Sequence, residues 1–136
     1  MRYMMLVYTQ ETANRTPEEM QAVQSGHWAV MDETSRRGIL VDASPLARTS
    51  SATSVRMENG KAMVTDGPFA ETKEQLAGYY ILECADLDEA IAWASKIPSA
   101  CGGASGCIEV RPVQEMSRVP ESFHRSRAAF AQTMNG

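Results

Sequence analysis

Few residues in this 136-residue chain are of a type that does chemistry. It contains two histidines and three cysteines, Cys84, Cys101 and Cys107, and no Cys-x-x-Cys pair. An odd number of cysteines without such a pair predicts neither a disulfide framework nor a zinc site, so we expect reduced thiols in a cytoplasmic protein. The chemistry that remains is proton transfer by an imidazole or a carboxylate, which requires no metal and no nucleotide cofactor.

Two candidate residues, His27 and Asp66, each have a structural interpretation beside a functional one. His27 falls on the apolar face of the first predicted helix, where a buried histidine often bonds to a backbone carbonyl and does no chemistry. Asp66 begins the sequence Asp66-Gly67-Pro68-Phe69, which predicts a turn because the carboxylate can accept backbone N–H groups and Gly tolerates a positive φ. From the residues alone, both interpretations stay open.

The elements that must position these residues begin with a strand, a helix and a strand. Aromatic and β-favouring residues at 3–8 predict a strand that is apolar on both faces. Thr16, Pro17 and Glu19 supply an N-cap, a proline at the first helical position and a capping box, so a helix begins there. Apolar residues then recur at spacings of three and four until Gly38, and residues 39–43 predict the second strand.

The rest of the chain repeats this order after an insertion. The predicted elements are a hairpin of residues 53–57 and 61–65 around Asn59-Gly60, a strand at 78–83, a helix from Asp86 to Ile97 and a strand at 107–113. The glycines at 102–106 lack the strand-before, helix-after context of a phosphate-binding loop.

This order, βαβ, hairpin, βαβ, predicts an α+β ferredoxin-like βαββαβ sandwich with an inserted β-hairpin. The first strand of each unit should lie at the centre of the sheet, because both of its faces are apolar. Both helices should cover one face, so a row on the other face, either Tyr79 with Ile81 or Tyr80 with Leu82, still needs cover. A homodimer packed through the sheets is the simplest cover.

Composition and charge exclude several classes of protein. At 136 residues and 43% hydrophobic content, the chain suits one domain, which we place at residues 1–115, followed by a tail at 116–136 with a weak helical stretch. Thirteen basic and 17 acidic residues give a net charge of -4 without a long block of either sign, so no nucleic-acid partner is expected. The apolar start is too short for a membrane span and lacks a cleavage site.

The run at 64–80, with Asp66-Gly67-Pro68-Phe69 near its start, resembles the signature of the DGPF branch of the YCII-related family. The similarity covers about residues 1–115 and continues through three other segments: the strand at 2–8, the helix that contains His27 and the strand at 108–113. It implies a dimeric α+β barrel and a His–Asp pair in a cleft, as in YCII-type lyases or dehalogenases of muconolactone-like compounds. Most DGPF proteins have no assigned reaction.

Carried onto this chain, the resemblance implies that His27 is the general acid or base and that Asp66 orients it. Relatives often have an acidic residue after the second strand, whereas here Ser44 precedes Pro45 and the nearest acid is Asp42. Asp42 is therefore the alternative partner of His27. An imidazole whose other nitrogen meets a carboxylate could remove the α-proton of a lactone or enol.

The same resemblance suggests the walls of the cleft. Trp28, Phe69 and Tyr79 would supply its apolar surface, and Glu71 and Lys73 could line its mouth. A solvated charged connection is the alternative interpretation of these last two residues.

Two functions from different classes follow from these residues and this resemblance. The first is a small-molecule enzyme in which His27 and Asp66 form the acid/base pair. The second is a non-catalytic dimeric module that binds a small ligand or regulates an extracytoplasmic-function sigma factor, because DGPF proteins are often associated with such factors. A relation to antibiotic-biosynthesis monooxygenases would rest on fold analogy alone.

Overall fold

The computed structural model describes residues 1–11, 14–98 and 106–123. Its strands and helices are β1 (Arg2–Thr9), α1 (Pro17–Arg36), β2 (Leu40–Pro45), β3 (Thr53–Glu58), β4 (Lys61–Asp66), β5 (Gln75–Glu83), α2 (Leu87–Ala94) and β6 (Gly106–Pro112). This is a mixed α+β fold, as predicted. The glycine-rich loop before Gly106 and most of the helical stretch predicted for the tail lie outside the described residues.

The main sheet consists of four antiparallel strands in the order β2-β5-β1-β6. The two central strands are β1 and β5, which confirms the prediction made from their apolar faces. Since β1 and β2 both run antiparallel to β5, they run parallel to each other on either side of it. A helical crossover, here α1, is the connection that such a parallel pair requires.

Helix α1 begins with the capping box that the sequence predicts. The Glu19 N–H donates to the Thr16 hydroxyl at 3.1 Å, and the Thr16 N–H donates to the Glu19 carboxylate at 3.2 Å. One face of the helix is buried through Val30 and Thr34. The fully buried Thr34 hydroxyl donates to the Val30 carbonyl at 2.7 Å, so its polar group is satisfied inside the helix.

The core lies between the two helices and one face of the sheet. Alternate residues of β1 and β5 are buried, and they contact buried residues of both helices in a single cluster. Its main members are Tyr3, Met5, Val7, Val30, Tyr80, Leu82, Ala90 and Trp93. The residues between them in sequence, such as Met4, Leu6, Tyr79 and Ile81, are only half-buried and form what we call the open face of the sheet.

Strands β3 and β4 form a separate two-stranded sheet. Asn59 and Gly60 at its tip both have positive φ, at 50° and 78°, which a tight hairpin turn of this kind requires. Val55 and Val64 pair across the hairpin and are 60% and 65% exposed. The predicted hairpin is confirmed, and it carries apolar side chains that the chain itself leaves exposed.

The Asp66-Gly67-Pro68-Phe69 segment is the exit of this hairpin. Asp66 pairs with Thr53, and the following Gly67 has a φ of 97° that few other residues adopt. The Gly67 N–H donates to the Ala52 carbonyl at 2.7 Å, and the Ser54 hydroxyl donates to the Gly67 carbonyl at 2.7 Å. The chain therefore bends here with the positive φ predicted for Gly67, but the Asp66 carboxylate accepts no N–H group from the described residues.

Three element boundaries differ from the prediction by two residues or more, and one of them is the start of β5, which lies at Gln75 and not at Gly78. Strand β2 continues to Pro45, which pairs with Gly78 at the edge of the sheet, where a strand tolerates proline. Helix α2 ends at Ala94 and not at Ile97, because N–H groups after it bond three residues back, as from Ile97 to the Ala94 carbonyl. Ile97 is nevertheless buried, which explains why its apolar periodicity resembled a longer helix.

Neither helix in the described part of the chain combines the length and apolar character that crossing a membrane requires.

Candidate functional site

A cavity of about 510 Å³ lies between α1 and the sheet, and we call it the helix–sheet cavity. Its volume is within the range of roughly 300 to 1,000 Å³ that is typical of small-molecule sites. Apolar side chains make up much of the wall, among them Val7, Met20, Val23, Trp28 and Met31. Polar groups are also present, and they include His27, Arg15 and Tyr80 but no Asp or Glu.

His27 and Tyr80 form a pair in the wall of this cavity. The periodicity of α1 places His27 above the sheet, and the alternation of β5 turns Tyr80 toward the helices. The Nδ1 atom of His27 and the Tyr80 hydroxyl lie 2.7 Å apart and share a hydrogen bond. The two rings are stacked, with centroids 5.9 Å apart, so the position of the imidazole is set by both contacts.

Burial determines the charge state of this pair. It lowers the pKa of His27 below its ordinary value, so the imidazole is neutral near pH 7. Burial also raises the pKa of Tyr80 to about 12, so its hydroxyl stays protonated. Because a phenol hydroxyl both donates and accepts, Tyr80 can bond to either neutral tautomer of His27. The Nε2 atom has no hydrogen-bond partner among the described residues and is free for a ligand.

Arg15 contributes a permanent positive charge to the same cavity. Its Nη2 atom donates to the Thr9 hydroxyl at 2.5 Å and to the Gln10 carbonyl at 2.9 Å, which ties the guanidinium to the end of β1. Its Nε atom is buried and bonds to none of the residues that the structure describes. One strong donor of this cation is therefore unsatisfied within the described part of the chain.

The neighbouring tyrosine, Tyr79, makes a different pair on the open face. Its hydroxyl donates to Oδ2 of Asp42 at 2.7 Å, and the Ala43 N–H donates to Oδ1 of Asp42 at 2.9 Å. The hydrogen bond to the Asp42 carboxylate raises the pKa of Tyr79 above its ordinary value. Asp42, the alternative partner predicted for His27, thus bonds to Tyr79.

Asp66 lines a second cavity, of about 560 Å³, at the base of the hairpin. Most of the residues in its wall are polar or charged, among them Glu11, Thr49 and Glu71. Glu11 accepts from the Thr49 N–H at 2.9 Å and from its hydroxyl at 2.7 Å, and these two bonds lower the pKa of Glu11. Within this chain, His27 and Asp66 line different cavities, and the partner of His27 is a phenol.

The other residues predicted to line one cleft are also found at different places. Trp28, which is 57% exposed, and Tyr79 border the helix–sheet cavity, although the Tyr79 phenol lies on the open face, and Glu71 lines the cavity at the hairpin base. Phe69, which is 78% exposed, and Lys73, also exposed, line neither of these two cavities. Their predicted roles, like those of His27 and Asp66, remain predictions.

Two residues of the site, Tyr80 and Arg15, were not identified by sequence reasoning. The alternation along β5 contained a signal for Tyr80, but two adjacent tyrosines left open which one faces the helices. Arg15 stands just before the N-cap of α1 and belongs to no recognisable motif. Only the meeting of β1 with the start of α1 brings it to the cavity.

A sheet covered on one face by two helices, with an apolar cavity beneath the first helix, defines the class: a small α+β protein with a ligand-sized cavity. No group of three or more His, Cys, Asp or Glu residues within the described ranges could hold a metal ion.

Residues 1–117 match the model of the YCII-related domain, and the chain belongs to this family. An uncharacterised protein of Rhizobium meliloti (strain 1021) is 39% identical over 115 residues, which cover 83% of this chain and 92% of that protein. The family predicted from the run at 64–80 is thereby confirmed.

Proposed function

We propose that this YCII-related protein is a small-molecule enzyme in which His27 transfers a proton in the helix–sheet cavity. The observation that carries the proposal is the His27–Tyr80 pair at 2.7 Å, in the wall of a cavity of about 510 Å³. Tyr80 holds Nδ1, and Nε2 is left for the substrate. A neutral imidazole is the form that can accept a proton near pH 7.

The chemistry that suits this pair is removal of an acidic C–H proton next to the carbonyl of a lactone or of the keto form of an enol. Nε2 of His27 takes the proton, and the electron pair of the C–H bond forms an enolate. The enolate then either expels a halide ion from the neighbouring carbon, after which the imidazolium returns its proton to water, or accepts that proton from the imidazolium at another carbon. The first outcome is dehalogenase-like and the second is an isomerisation, so both start with the same residue.

Asp66 remains our proposed acidic partner, with Asp42 as the alternative. Asp66 is exposed at the hairpin base, and Asp42 lies on the open face bonded to Tyr79. Comparing Asp66→Asn with Asp42→Asn tests both assignments. A loss of turnover in one variant, without loss of folding, identifies the carboxylate that matters, and full activity in both would limit the acid/base unit to His27 and Tyr80.

We further propose a ferredoxin-like sandwich that forms a homodimeric α+β barrel. The strand order β2-β5-β1-β6 and the packing of both helices on one face support it. The half-buried Met4, Leu6 and Ile81 on the open face supply an apolar surface for a second copy. Sedimentation equilibrium tests this proposal, and a strictly monomeric protein at all concentrations would contradict it. We also propose a cytoplasmic location, which was predicted from the cysteines.

The proposed reaction can be tested by hydrogen–deuterium exchange. The protein is incubated in D₂O with an unsaturated γ-lactone, and deuterium incorporation next to the carbonyl is followed by NMR. We expect exchange with the natural sequence, loss of at least about 100-fold with His27→Gln, and a smaller loss with Tyr80→Phe. Exchange that survives His27→Gln would contradict the assignment of His27.

The second candidate function is a non-catalytic binding module, and the exposed apolar hairpin is the observation that favours it. Val55 and Val64 offer a surface suited to a protein partner, such as an extracytoplasmic-function sigma factor. A pull-down with such a sigma factor tests this candidate, using Val55→Ser as the matched variant. Capture that Val55→Ser abolishes, together with no exchange of any lactone, would favour this function over the enzyme.

A further inference from the structure

We propose that Arg15 is the anion-binding residue of the helix–sheet cavity, which makes the ligand a compact organic monoanion with an apolar body. This inference rests on the proposed function only in placing the ligand of His27 in the same cavity. It names the class of that ligand and the residue that selects it. The carboxylate of the ligand would bond to the free donors of Arg15.

The hydrogen bonds of Arg15 are the first support. Its guanidinium has five N–H donors, and Nη2 uses its capacity on Thr9 and Gln10. The Nη1 atom makes no hydrogen bond to a described residue, so its N–H groups remain for a ligand, whereas Nε also lacks such a partner but is itself buried. A carboxylate suits these remaining donors because a hydrogen bond between a guanidinium and a carboxylate is charge-assisted and therefore strong.

The charge of the cavity wall is the second support. Arg15 is permanently protonated, and none of the wall residues is an Asp or Glu that could neutralise it. Burial keeps His27 neutral near pH 7, so it adds no second positive charge. The wall therefore has one net positive charge, which complements a single negative charge.

The apolar part of the wall is the third support. Met20, Val23 and Met31 from α1 and Val7 from β1 line the same cavity as Arg15. Such a surface binds a ring or a short hydrocarbon body and gains nothing from a polyanion such as a nucleotide. The observations therefore favour a monocarboxylate over a di- or triphosphate.

The test compares two probes of nearly the same shape, phenylacetate and its neutral amide, phenylacetamide. Binding to the full chain is measured by isothermal titration calorimetry at constant pH and ionic strength. We expect phenylacetate to bind roughly 10- to 100-fold more tightly, because a hydrogen bond to a charged group adds that much affinity. Equal affinity for the two probes would overturn the proposal without any variant being made.

Variants of Arg15 sharpen the test. Arg15→Gln should lose the preference for phenylacetate, whereas Arg15→Lys keeps the charge and should retain part of it. Arg56→Gln, in the exposed hairpin and outside the cavity wall, is the matched control and should behave like the natural sequence. An unchanged preference in a folded Arg15→Gln, checked by circular dichroism, would overturn the proposal.

The outcome for the ligand class is separate from the outcome for catalysis. Phenylacetate binding that depends on Arg15, with no deuterium exchange of any lactone, supports this inference and contradicts the proposed enzyme. Lactone exchange that depends on His27, with no preference between the acid and the amide, supports the enzyme and overturns this inference.

Discussion

Tyr79 and Tyr80 are adjacent in β5, yet their phenol groups lie on opposite faces of the sheet and bond to different residues. Tyr80 is 2% exposed and shares a hydrogen bond with a neutral His27 under the helices. Tyr79 is half-buried on the open face and donates to the Asp42 carboxylate. The difference shows how one strand can build two environments, because successive side chains of a strand point in opposite directions.

We call the side of the sheet beneath the two helices the covered face. Substitutions on the covered face are expected to destabilise the fold, and substitutions on the open face are expected to be tolerated. On the covered face, the side chains are packed against one another, so adding or removing atoms changes the stability of the fold. On the open face, half-buried side chains leave room for solvent or for a second copy. The following predictions test this contrast, beginning with the largest expected effect.

The largest effect is expected from removing the two tyrosine rings. Tyr80→Ala should lower the free energy of unfolding by about 3–5 kcal/mol, because it leaves a cavity in the core and unpairs His27. Tyr79→Ala should cost about 1 kcal/mol in the monomer, because its ring is already half exposed. Urea denaturation of both variants at one protein concentration measures the difference. Equal costs would show that the two faces do not differ in stability.

The second prediction concerns Gly78, where β5 and β2 come closest. A Cβ at this position would lie 2.8 Å from the Ser44 carbonyl oxygen, so Gly78→Ala must separate two backbones and should cost about 1–3 kcal/mol. Gly26→Ala in α1 is the matched control. Its Cβ would meet the side-chain ring of Pro98, with the nearest carbon, Cγ, at 2.6 Å, and alanine is the better helix former by about 1 kcal/mol.

Thermal denaturation ranks these two glycine variants. We expect Gly78→Ala to melt at the lower temperature and to weaken ligand binding as well, since Gly78 lines the helix–sheet cavity. A melting temperature for Gly26→Ala below that of Gly78→Ala would contradict the argument that backbone is harder to move than a side chain.

The third prediction is a pH dependence that only the covered face should show. Burial lowers the pKa of His27 below its ordinary value of 6.5, so the unfolded chain binds this proton more readily than the folded chain. The stability that His27 contributes as a neutral group is therefore complete above pH 6.5 and is lost as the pH falls through that value toward the folded-state pKa.

Denaturation curves recorded between mildly acidic and neutral pH measure this effect. The natural sequence should lose stability on acidification, and His27→Gln should lose less, because glutamine does not titrate. NMR titration of the imidazole supplies an independent value of the pKa. A His27 pKa at or above 6.5 in the folded protein would refute the expected sign.

The smallest effect is expected on the open face, from Asp42→Asn. This change removes the carboxylate that raises the pKa of Tyr79, so that pKa should fall back toward 10.0. Tyr80, whose pKa burial raises to about 12, should be unaffected. Ultraviolet titration of the phenols separates the two groups, and the stability change should stay below about 1 kcal/mol. A shift of Tyr80 would mean that the two faces are coupled.

Much of the fold could be predicted because its signals are local. The capping box at Thr16, the Asn59-Gly60 turn and the Asp66-Gly67 turn each involve residues a few positions apart, so their geometry depends little on the rest of the chain. The two central strands were also predicted correctly, since only a strand buried between neighbours can be apolar on both faces. The lengths of β2, β5 and α2 were predicted less accurately, because the bounds of these elements depend on contacts with other elements.

The candidate site could be predicted only in part. The sequence by itself predicted the family, which is confirmed, and made His27 a candidate, because the run at 64–80 and helical periodicity are both visible in one dimension. It could not identify Tyr80 as the partner of His27, since they are 53 residues apart and an equivalent tyrosine stands next to Tyr80.

The tertiary structure alone decided which groups meet. It placed His27 and Asp66 in the walls of different cavities, and it brought Arg15 from the start of α1 to the end of β1. The physical reason is that local sequence sets the direction of each side chain along its own helix or strand. The register between strands and the position of α1 on the sheet depend instead on packing across the whole core.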